Sequence, residues 1–164
     1  MPYELIEVDL KNKPSDLVQQ NPYGKVPVLV ESDGVIYESA IINEYLQEKF
    51  PEPRLMPRDL LERSKVRIWI DFFNSRVHPS ASDLQKNRDP EKARERMKQH
   101  LDTLEKEMTG RKYLVGDHLT LADITYIPFY TRRERYTVEL GDNYPQLKRW
   151  GEELIARPEV ASTL

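Results

Sequence analysis

Two pairs of residues, Val26-Pro27 and Glu38-Ser39, have the types and the spacing to hold a small peptide. The first pair stands at the mouth of a predicted strand, and the second stands at the start of a predicted helix. Because helix N-termini present free N–H groups and favour anions, this pattern suits a peptide with a free carboxylate. The same residues are also typical of a structural proline turn and of an ordinary helix N-cap, and these interpretations stay open.

Two strands and a helix must bring those pairs together. Residues 27–31 are a β-branched run that predicts a strand. Asp33-Gly34 favours the positive φ angles of a tight turn, after which residues 35–37 return as a second strand. From Ser39 onwards apolar residues recur at helical spacing, and Pro51 ends this helix.

The residues upstream predict further elements of the same domain. Residues 5–10 alternate in part and predict another strand. Pro14 opens a short helix over residues 15–20, because proline is well tolerated in a first helical turn. Residues 21–24 carry the turn signal Asn-Pro-Tyr-Gly. The first 50 residues therefore predict a small α/β domain.

A proline-rich linker at residues 51–58 marks the domain boundary. Helical spacing of apolar residues continues beyond it, so residues 59–164 predict an all-helical domain. One helix over residues 61–77 should bend or stop near Pro79, and another begins at Pro90. The second carries an apolar stripe at four-three-four spacing, formed by Met97, Leu101, Leu104 and Met108.

Thr120 and Asp123 have the spacing of a capping box, in which each side chain accepts a hydrogen bond from the backbone N–H of the other residue. Leu119 and Ile124 stand at the matching hydrophobic staple positions. An acidic side chain in the first helical turn also complements the helix dipole. We interpret this segment as structural, and expect its loss to impair folding before it impairs any chemistry.

The composition excludes several classes of partner. The 164 residues carry a net charge of −3, with 32% charged and 38% hydrophobic residues. This charge balance gives no basic footprint for nucleic acid and no patch for anionic membranes. No stretch approaches the roughly 18 apolar residues of a membrane span, and the N-terminus has no signal-peptide pattern. We therefore expect a cytoplasmic protein without nucleic-acid or membrane partners.

Two further chemistries find no support in the residue types. The sequence has no cysteine, which excludes disulfides and any thiol nucleophile among these residues. His78, His100 and His118 lack the spacing of metal ligands, so we assign no metal site.

Several short motifs follow one another in a specific order along nearly the whole chain. They are Asn12-Lys13-Pro14, Asn21-Pro22-Tyr23-Gly24, Val26-Pro27-Val28-Leu29, Tyr37-Glu38-Ser39-Ala40-Ile41, Glu44-Tyr45-Leu46, residues 116–123 and residues 147–158. In this order they resemble the glutathione transferase superfamily, and within it the omega-like branch. Residues 44–57, which include most of the proline-rich linker, also resemble stringent starvation protein A, a relative that keeps the fold and binds RNA polymerase.

The resemblance implies a thioredoxin-like N-terminal domain, an all-α second domain, and glutathione as cosubstrate. It implies a cis bond before Pro27 that turns the backbone of Val26 toward the bound peptide. Ser39 would bind the α-carboxylate of the γ-glutamyl group, Glu38 its ammonium, and Lys13 the glycyl carboxylate. A solvated surface lysine remains the other interpretation of Lys13.

An acceptor site is implied less directly. Phe129, Tyr130 and Arg133 could line a cleft for an electrophilic small molecule, together with Arg132 and Arg135. For the arginines a solvated helix face is the interpretation that we favour.

The chain departs from the family pattern at its start. The resemblance begins at the approach to the second strand of the family, so the first strand and helix, with their catalytic serine, cysteine or tyrosine, have no counterpart here. We therefore expect a truncated thioredoxin-like domain and assign no catalytic residue. The chain could be a fragment, a second polypeptide could supply the strand, or residues 5–10 could pair beside residues 27–31.

Three functions follow from the resemblance. The first is a transferase that binds glutathione and, in a complete form, conjugates it to electrophilic small molecules, with little turnover by these residues alone. The alternative is a non-catalytic interaction module with a protein partner, as in stringent starvation protein A. Thiol exchange or dehydroascorbate reduction would need a cysteine from outside this sequence. We also expect a homodimer, formed through residues 38–50 and 60–77.

Overall fold

The computed structural model describes residues 3–163, which form two compact units. The first unit ends at Phe50 and the second begins at Pro51. The first combines helices with a two-stranded sheet, whereas the described part of the second is entirely helical. This arrangement confirms the predicted fold class, a small α/β domain followed by a helical one.

The first unit is a β-hairpin flanked by two helices. Its elements are α1 (Ser15–Gln20), β1 (Val28–Glu31), β2 (Gly34–Tyr37) and α2 (Ser39–Lys49). The strands pair antiparallel, with Val28 opposite Tyr37 and Glu31 opposite Gly34. Leu17 of α1 and Ile42 of α2 are the buried apolar residues of these helices.

The turn of this hairpin differs from the prediction in its backbone conformation. Ser32 and Asp33 close the loop between the paired residues Glu31 and Gly34. Neither Asp33 nor Gly34 is among the described residues with a positive φ angle. The prediction of a hairpin is confirmed, but the expected positive φ angles at this turn are wrong.

The strand predicted over residues 5–10 is also wrong. These residues have no regular secondary structure before a turn at Leu10, and Leu5 and Ile6 are 74% and 75% exposed. A strand is defined by backbone hydrogen bonds to a neighbour. Within residues 3–163 the sheet consists of β1 and β2, so the pairing beside residues 27–31 does not form. Alternating residue types cannot replace a missing partner.

The described part of the second unit consists of helices joined by turns and loops. They are α3 (Leu60–Phe72), α4 (His78–Gln85), α5 (Pro90–Glu107), α6 (Leu121–Arg132), α7 (Pro145–Ile155) and α8 (Pro158–Ala161). A π-helical turn at Phe73–Val77 joins α3 to α4, and a 3₁₀ turn at Arg133–Tyr136 follows α6. The π turn ends two residues before Pro79, whose missing N–H interrupts the regular hydrogen-bond ladder.

The core of the second unit is apolar and rich in aromatic rings. The predicted stripe on α5 is buried throughout, at Met97, Leu101, Leu104 and Met108. Tyr126 of α6 is fully buried between Phe73 and Trp150, with ring centroids 4.9 and 5.3 Å apart. Such edge-on and tilted contacts add specificity to the burial of apolar area.

Within residues 3–163 no helix combines the length and the apolar character that a membrane span requires. The histidine and acidic side chains of the same residues form no group of three that could hold a metal ion.

Candidate functional site

The two predicted pairs of site residues lie at one end of the hairpin. Because Val28 pairs with Tyr37, Val26 and Pro27 precede β1 at the end of the hairpin where Glu38 and Ser39 follow β2. We call Val26, Pro27, Glu38 and Ser39 the hairpin mouth. Val26, Glu38 and Ser39 are all exposed. The strand register therefore brings together residues that stand 12 positions apart from Val26 to Glu38 in the sequence.

The backbone of Val26 is open to solvent. The Val26–Pro27 peptide bond is cis, and Val26 is 46% exposed. Its N–H precedes the first paired residue of β1 and has no hydrogen-bond partner among residues 3–163. This N–H is therefore available to a bound molecule.

Glu38 has an unusual backbone conformation at the start of α2. Its φ is 70° and its ψ is 114°, a combination that residues other than glycine rarely adopt. Its carbonyl accepts the first hydrogen bond of α2, from the N–H of Ile42 at 3.0 Å. The Glu38 carboxylate makes no capping hydrogen bond and no ion pair within the described residues. A strained residue with an unused charge is typical of a ligand site.

Ser39 is the first residue of α2, which has 11 residues. The N–H groups of Ser39, Ala40 and Ile41 precede the first intrahelical hydrogen bond, so they have no partner within the helix. These groups and the helix dipole produce a positive electrostatic potential at this end. The Ser39 hydroxyl has no hydrogen-bond partner in the described part of the chain, so it can contribute to binding an anion.

Lys13 lies beside the loop that leads to the hairpin mouth. Its side chain is exposed, and its Nζ would be 3.5 Å from a Cβ built on Gly24. Within residues 3–163 its ammonium has no ion-pair partner. Gly24 has a φ of +57°, so the loop favours glycine for this backbone conformation.

Asn21, which was not predicted as a site residue, organises this loop. Asn21 is 1% exposed, and its side chain spans the turn between Tyr23 and Lys25. The Tyr23 ring meets the Tyr37 ring edge-on, with centroids 5.7 Å apart. The signal was present in the sequence, because asparagine favours turns by bonding to a backbone N–H two residues on. The sequence does not reveal the second hydrogen bond of this side chain, from its nitrogen to the carbonyl of Lys25.

The predicted acceptor residues lie in the helical unit and have different surroundings. Phe129 is 3% exposed and stacks on Tyr136, with centroids 6.0 Å apart. Aromatic packing buries its ring in the core, and Phe129 borders neither described cavity. Tyr130 is equally buried, and its hydroxyl donates to the carbonyl of Leu147 at 3.0 Å.

Arg133 and Tyr130 border a cavity of about 640 Å³ in the same unit. The Arg133 guanidinium donates through Nη1 to the carbonyl of Tyr130 at 3.0 Å. Glu134, Lys148 and Glu152 provide charges around this cavity, whereas Val138 and Ile155 provide apolar wall. Burial raises the pKa of the Tyr130 hydroxyl well above its usual value, so this group stays protonated.

Thr120 and Asp123 form a capping box at the start of α6. Asp123 Oδ2 accepts from the backbone N–H and the hydroxyl of Thr120, at 2.9 and 2.8 Å. Both residues are buried, and neither borders a described cavity. Their position agrees with a structural role.

Two family sequence models match the chain in order. Residues 1–54 match the model described as "Glutathione S-transferase, N-terminal domain". Residues 67–158 match the model described as "Glutathione S-transferase, C-terminal domain".

Individual relatives align over nearly the whole chain. A "Probable glutathione S-transferase" from Nicotiana tabacum is 35% identical over 99% of this chain and 76% of its own length. "Glutathione S-transferase omega-1" from Sus scrofa is 33% identical over 98% of this chain and 69% of its own length. The structure of rice GST1 in complex with glutathione has a TM-score of 0.87 and 27% identity, over 100% of this chain and 79% of that one. The chain belongs to the glutathione S-transferase family.

Proposed function

We propose that this chain binds glutathione at the hairpin mouth. The observation that carries this proposal is the strand register, which brings an unpaired backbone N–H and the start of a helix to one end of the hairpin. A γ-glutamyl tripeptide offers complementary groups, namely two carboxylates, one ammonium and backbone amides. The glutathione bound in the rice relative supports the same ligand class.

Ser39 provides the anchor for the α-carboxylate of the γ-glutamyl group. The first N–H groups of α2 and the Ser39 hydroxyl are free to donate, and the helix dipole favours a negative charge at this end. A charge-assisted hydrogen bond of this kind is worth about 1.5–3 kcal/mol. This anchor is therefore expected to provide a large part of the affinity.

Glu38 and Lys13 provide two further charges. The Glu38 carboxylate, which no described residue neutralises, suits the ammonium of the γ-glutamyl group. The exposed Lys13 ammonium suits the glycyl carboxylate. Exposed ion pairs contribute only about 0.2–1 kcal/mol, so Lys13 should contribute less to the affinity than the Ser39 anchor does. The free N–H of Val26 would pair with the cysteinyl amide between these two ends.

Conjugation requires that the thiol of bound glutathione becomes a thiolate and meets an electrophile. In this assignment the donors of the hairpin mouth bind the α-carboxylate and the cysteinyl amide of glutathione, so none is assigned to the sulfur, and the sequence has no cysteine. We therefore propose glutathione binding for these residues and weak or absent turnover by them alone. Tyr130 and Arg133 remain candidates for an acceptor site, through the cavity that they border.

Isothermal titration calorimetry with glutathione tests the binding. We expect Ser39→Ala to weaken binding by about tenfold, the effect of about one hydrogen bond. Ser32→Ala is the matched control, because Ser32 is an exposed serine at the opposite end of the same hairpin. Wild-type protein that binds no glutathione at millimolar concentration would end the proposal, as would equal affinities of the two variants.

We also propose a homodimer formed through α3. Leu60, Leu61 and Ile68 are 78%, 65% and 62% exposed, a costly arrangement for a helix facing only water. Leu61 and Ile68 lie two helical turns apart and therefore share a face. Light scattering should find a dimer for the wild type and a monomer for Ile68→Glu. A monomeric wild type bound to another protein in the source cell would favour the interaction-module alternative.

A further inference from the structure

Asn21 has an unusual concentration of hydrogen bonds for a loop residue. Its side-chain oxygen accepts from the N–H of Tyr23 at 3.0 Å, and its side-chain nitrogen donates to the carbonyl of Lys25 at 2.9 Å. Its backbone N–H donates to the Leu17 carbonyl at 2.8 Å, and its own carbonyl accepts from the N–H of Gly24 at 2.7 Å. Both side-chain partners are backbone groups of the loop that leads to the hairpin mouth.

The bond to Lys25 has a direct consequence for Val26. The carbonyl of Lys25 and the N–H of Val26 belong to one planar peptide unit. This unit is trans, since the cis bonds of the described residues are Val26–Pro27 and Glu52–Pro53. In a trans unit the carbonyl and the N–H point in opposite directions. Because buried Asn21 holds the carbonyl inward, the N–H of Val26 must point outward.

The bond to Tyr23 connects the loop to the other half of the site. Asn21 fixes the backbone of Tyr23, whose ring lies at 90° to the ring of Tyr37. Tyr37 ends β2 and directly precedes Glu38. One buried amide therefore restrains both the Val26 side and the Glu38 side of the hairpin mouth.

We propose that Asn21 is a positioning residue of the glutathione site, which presents the N–H of Val26 to the ligand. This inference rests on the proposed function, because it assigns a role within the same site. Asn21 acts through the loop and does not itself contact the ligand. A residue that only stabilised the fold would change the free energy of unfolding without changing the affinity of the folded protein.

Asn21→Asp separates the two side-chain bonds. The variant keeps the size of the side chain and an oxygen that accepts from Tyr23. It replaces the nitrogen that donates to Lys25 with a second oxygen, which cannot donate when ionised. Because burial favours the neutral carboxyl, affinities are compared across a series of increasing pH, and the loss should be largest at the alkaline end. We expect the affinity for glutathione to fall by about tenfold, corresponding to the hydrogen bond from Val26.

Gln47→Ala provides the matched control. Gln47 is also a buried amide of the first unit, and its nitrogen donates to the carbonyl of Phe50 at 3.3 Å. It lies near the end of α2 that is remote from Ser39. This variant should lose stability but bind glutathione within about twofold of the wild-type affinity. Equal affinities of Asn21→Asp and the wild type, or equal losses in both variants, would overturn the inference.

Amide hydrogen exchange on the wild-type chain provides a second measurement, which does not depend on a variant that folds. The N–H of Val26 should exchange fast in the free protein and become protected when glutathione is added. Protection of Val26 in the free protein would overturn the inference while leaving glutathione binding intact. Absence of glutathione binding by the wild type would instead remove the proposed function and the inference together.

Discussion

The indole N–H of Trp150 donates a hydrogen bond to Asp123 Oδ1 across 3.1 Å, which joins α7 to the start of α6. The same oxygen accepts from the backbone N–H of Leu114 at 2.9 Å, and Oδ2 accepts from Thr120. Burial raises the pKa of the Asp123 carboxyl, and the hydrogen bonds offset part of this effect. One buried side chain therefore fixes three segments of the helical unit.

Asp123→Ala should destabilise the protein severely. The substitution leaves the buried donors of Leu114, Thr120 and Trp150 without an acceptor, and each unsatisfied donor costs about 1–3 kcal/mol. We expect a loss of at least about 3 kcal/mol in the free energy of unfolding, measured by urea denaturation with tryptophan fluorescence. The control Asp117→Ala, at a position 88% exposed, should change it by less than about 0.5 kcal/mol. A small effect at Asp123 would contradict the structural role.

The sequence predicted the elements that depend on local residue types. The helix over residues 15–20, the hairpin and the buried stripe on α5 all agree with the structure, because spacing and turn residues determine them locally. The strand over residues 5–10 fails because pairing depends on a neighbour that no local pattern specifies. Phe129 shows a related ambiguity, since an aromatic residue in a helix is compatible with both a cleft and a core.

The site was predictable in its residue types and less so in its geometry. The positions of Val26-Pro27 and Glu38-Ser39 followed from the expected strands, and the register brings them to one end of the hairpin. The positive φ of Glu38 was not predictable, because residues other than glycine seldom have this conformation. Neither was the bond from Asn21 to Lys25, which requires the loop to fold back on itself.

His100 should make the stability of the protein depend on pH. Its ring lies edge-on to Phe72 at 5.7 Å, and its pKa is lowered by burial and by the charges of Arg76 and Arg96. Since the unfolded chain binds this proton more readily, the stabilising contribution is present above about pH 6.5 and is lost as the pH falls through the folded-state pKa.

The measurement for His100 compares two proteins at two pH values. The stability advantage of the wild type over His100→Gln should be larger at about pH 7.5 than at about pH 5.5. The difference between the proteins isolates this histidine from the other groups that titrate in acid. A stability advantage of the wild type that stays constant, or that grows as the pH falls, would contradict a lowered pKa of His100.

Gly151→Ala should destabilise the packing of α6 against α7. A Cβ at this position would meet the Tyr130 ring, which lies too close to accommodate it. The gain in helix propensity is about 0.5–1 kcal/mol, whereas overpacking a core typically costs about 1–3 kcal/mol. We therefore expect a net loss, seen as a lower melting temperature. Gly141→Ala, where a Cβ meets nothing within 4 Å, should leave the melting temperature nearly unchanged. Equal melting temperatures of the two variants would refute this packing argument.

Glu38→Gly should separate stability from binding at the hairpin mouth. Glycine adopts a φ of 70° without steric cost, so the substitution relieves strain of about 1–3 kcal/mol in the folded state. It also increases the conformational entropy of the unfolded chain, which lowers the free energy of unfolding by about 0.5–1 kcal/mol. The free energy of unfolding should therefore stay equal or rise by about 1 kcal/mol. Affinity for glutathione should nevertheless fall, because the carboxylate for the ammonium is gone. Glu38→Gln, which keeps the strain and removes the charge, should bind as weakly without gaining stability. If Glu38→Gly binds as tightly as the wild type in calorimetry, Glu38 is not a ligand contact and its strained backbone needs another explanation.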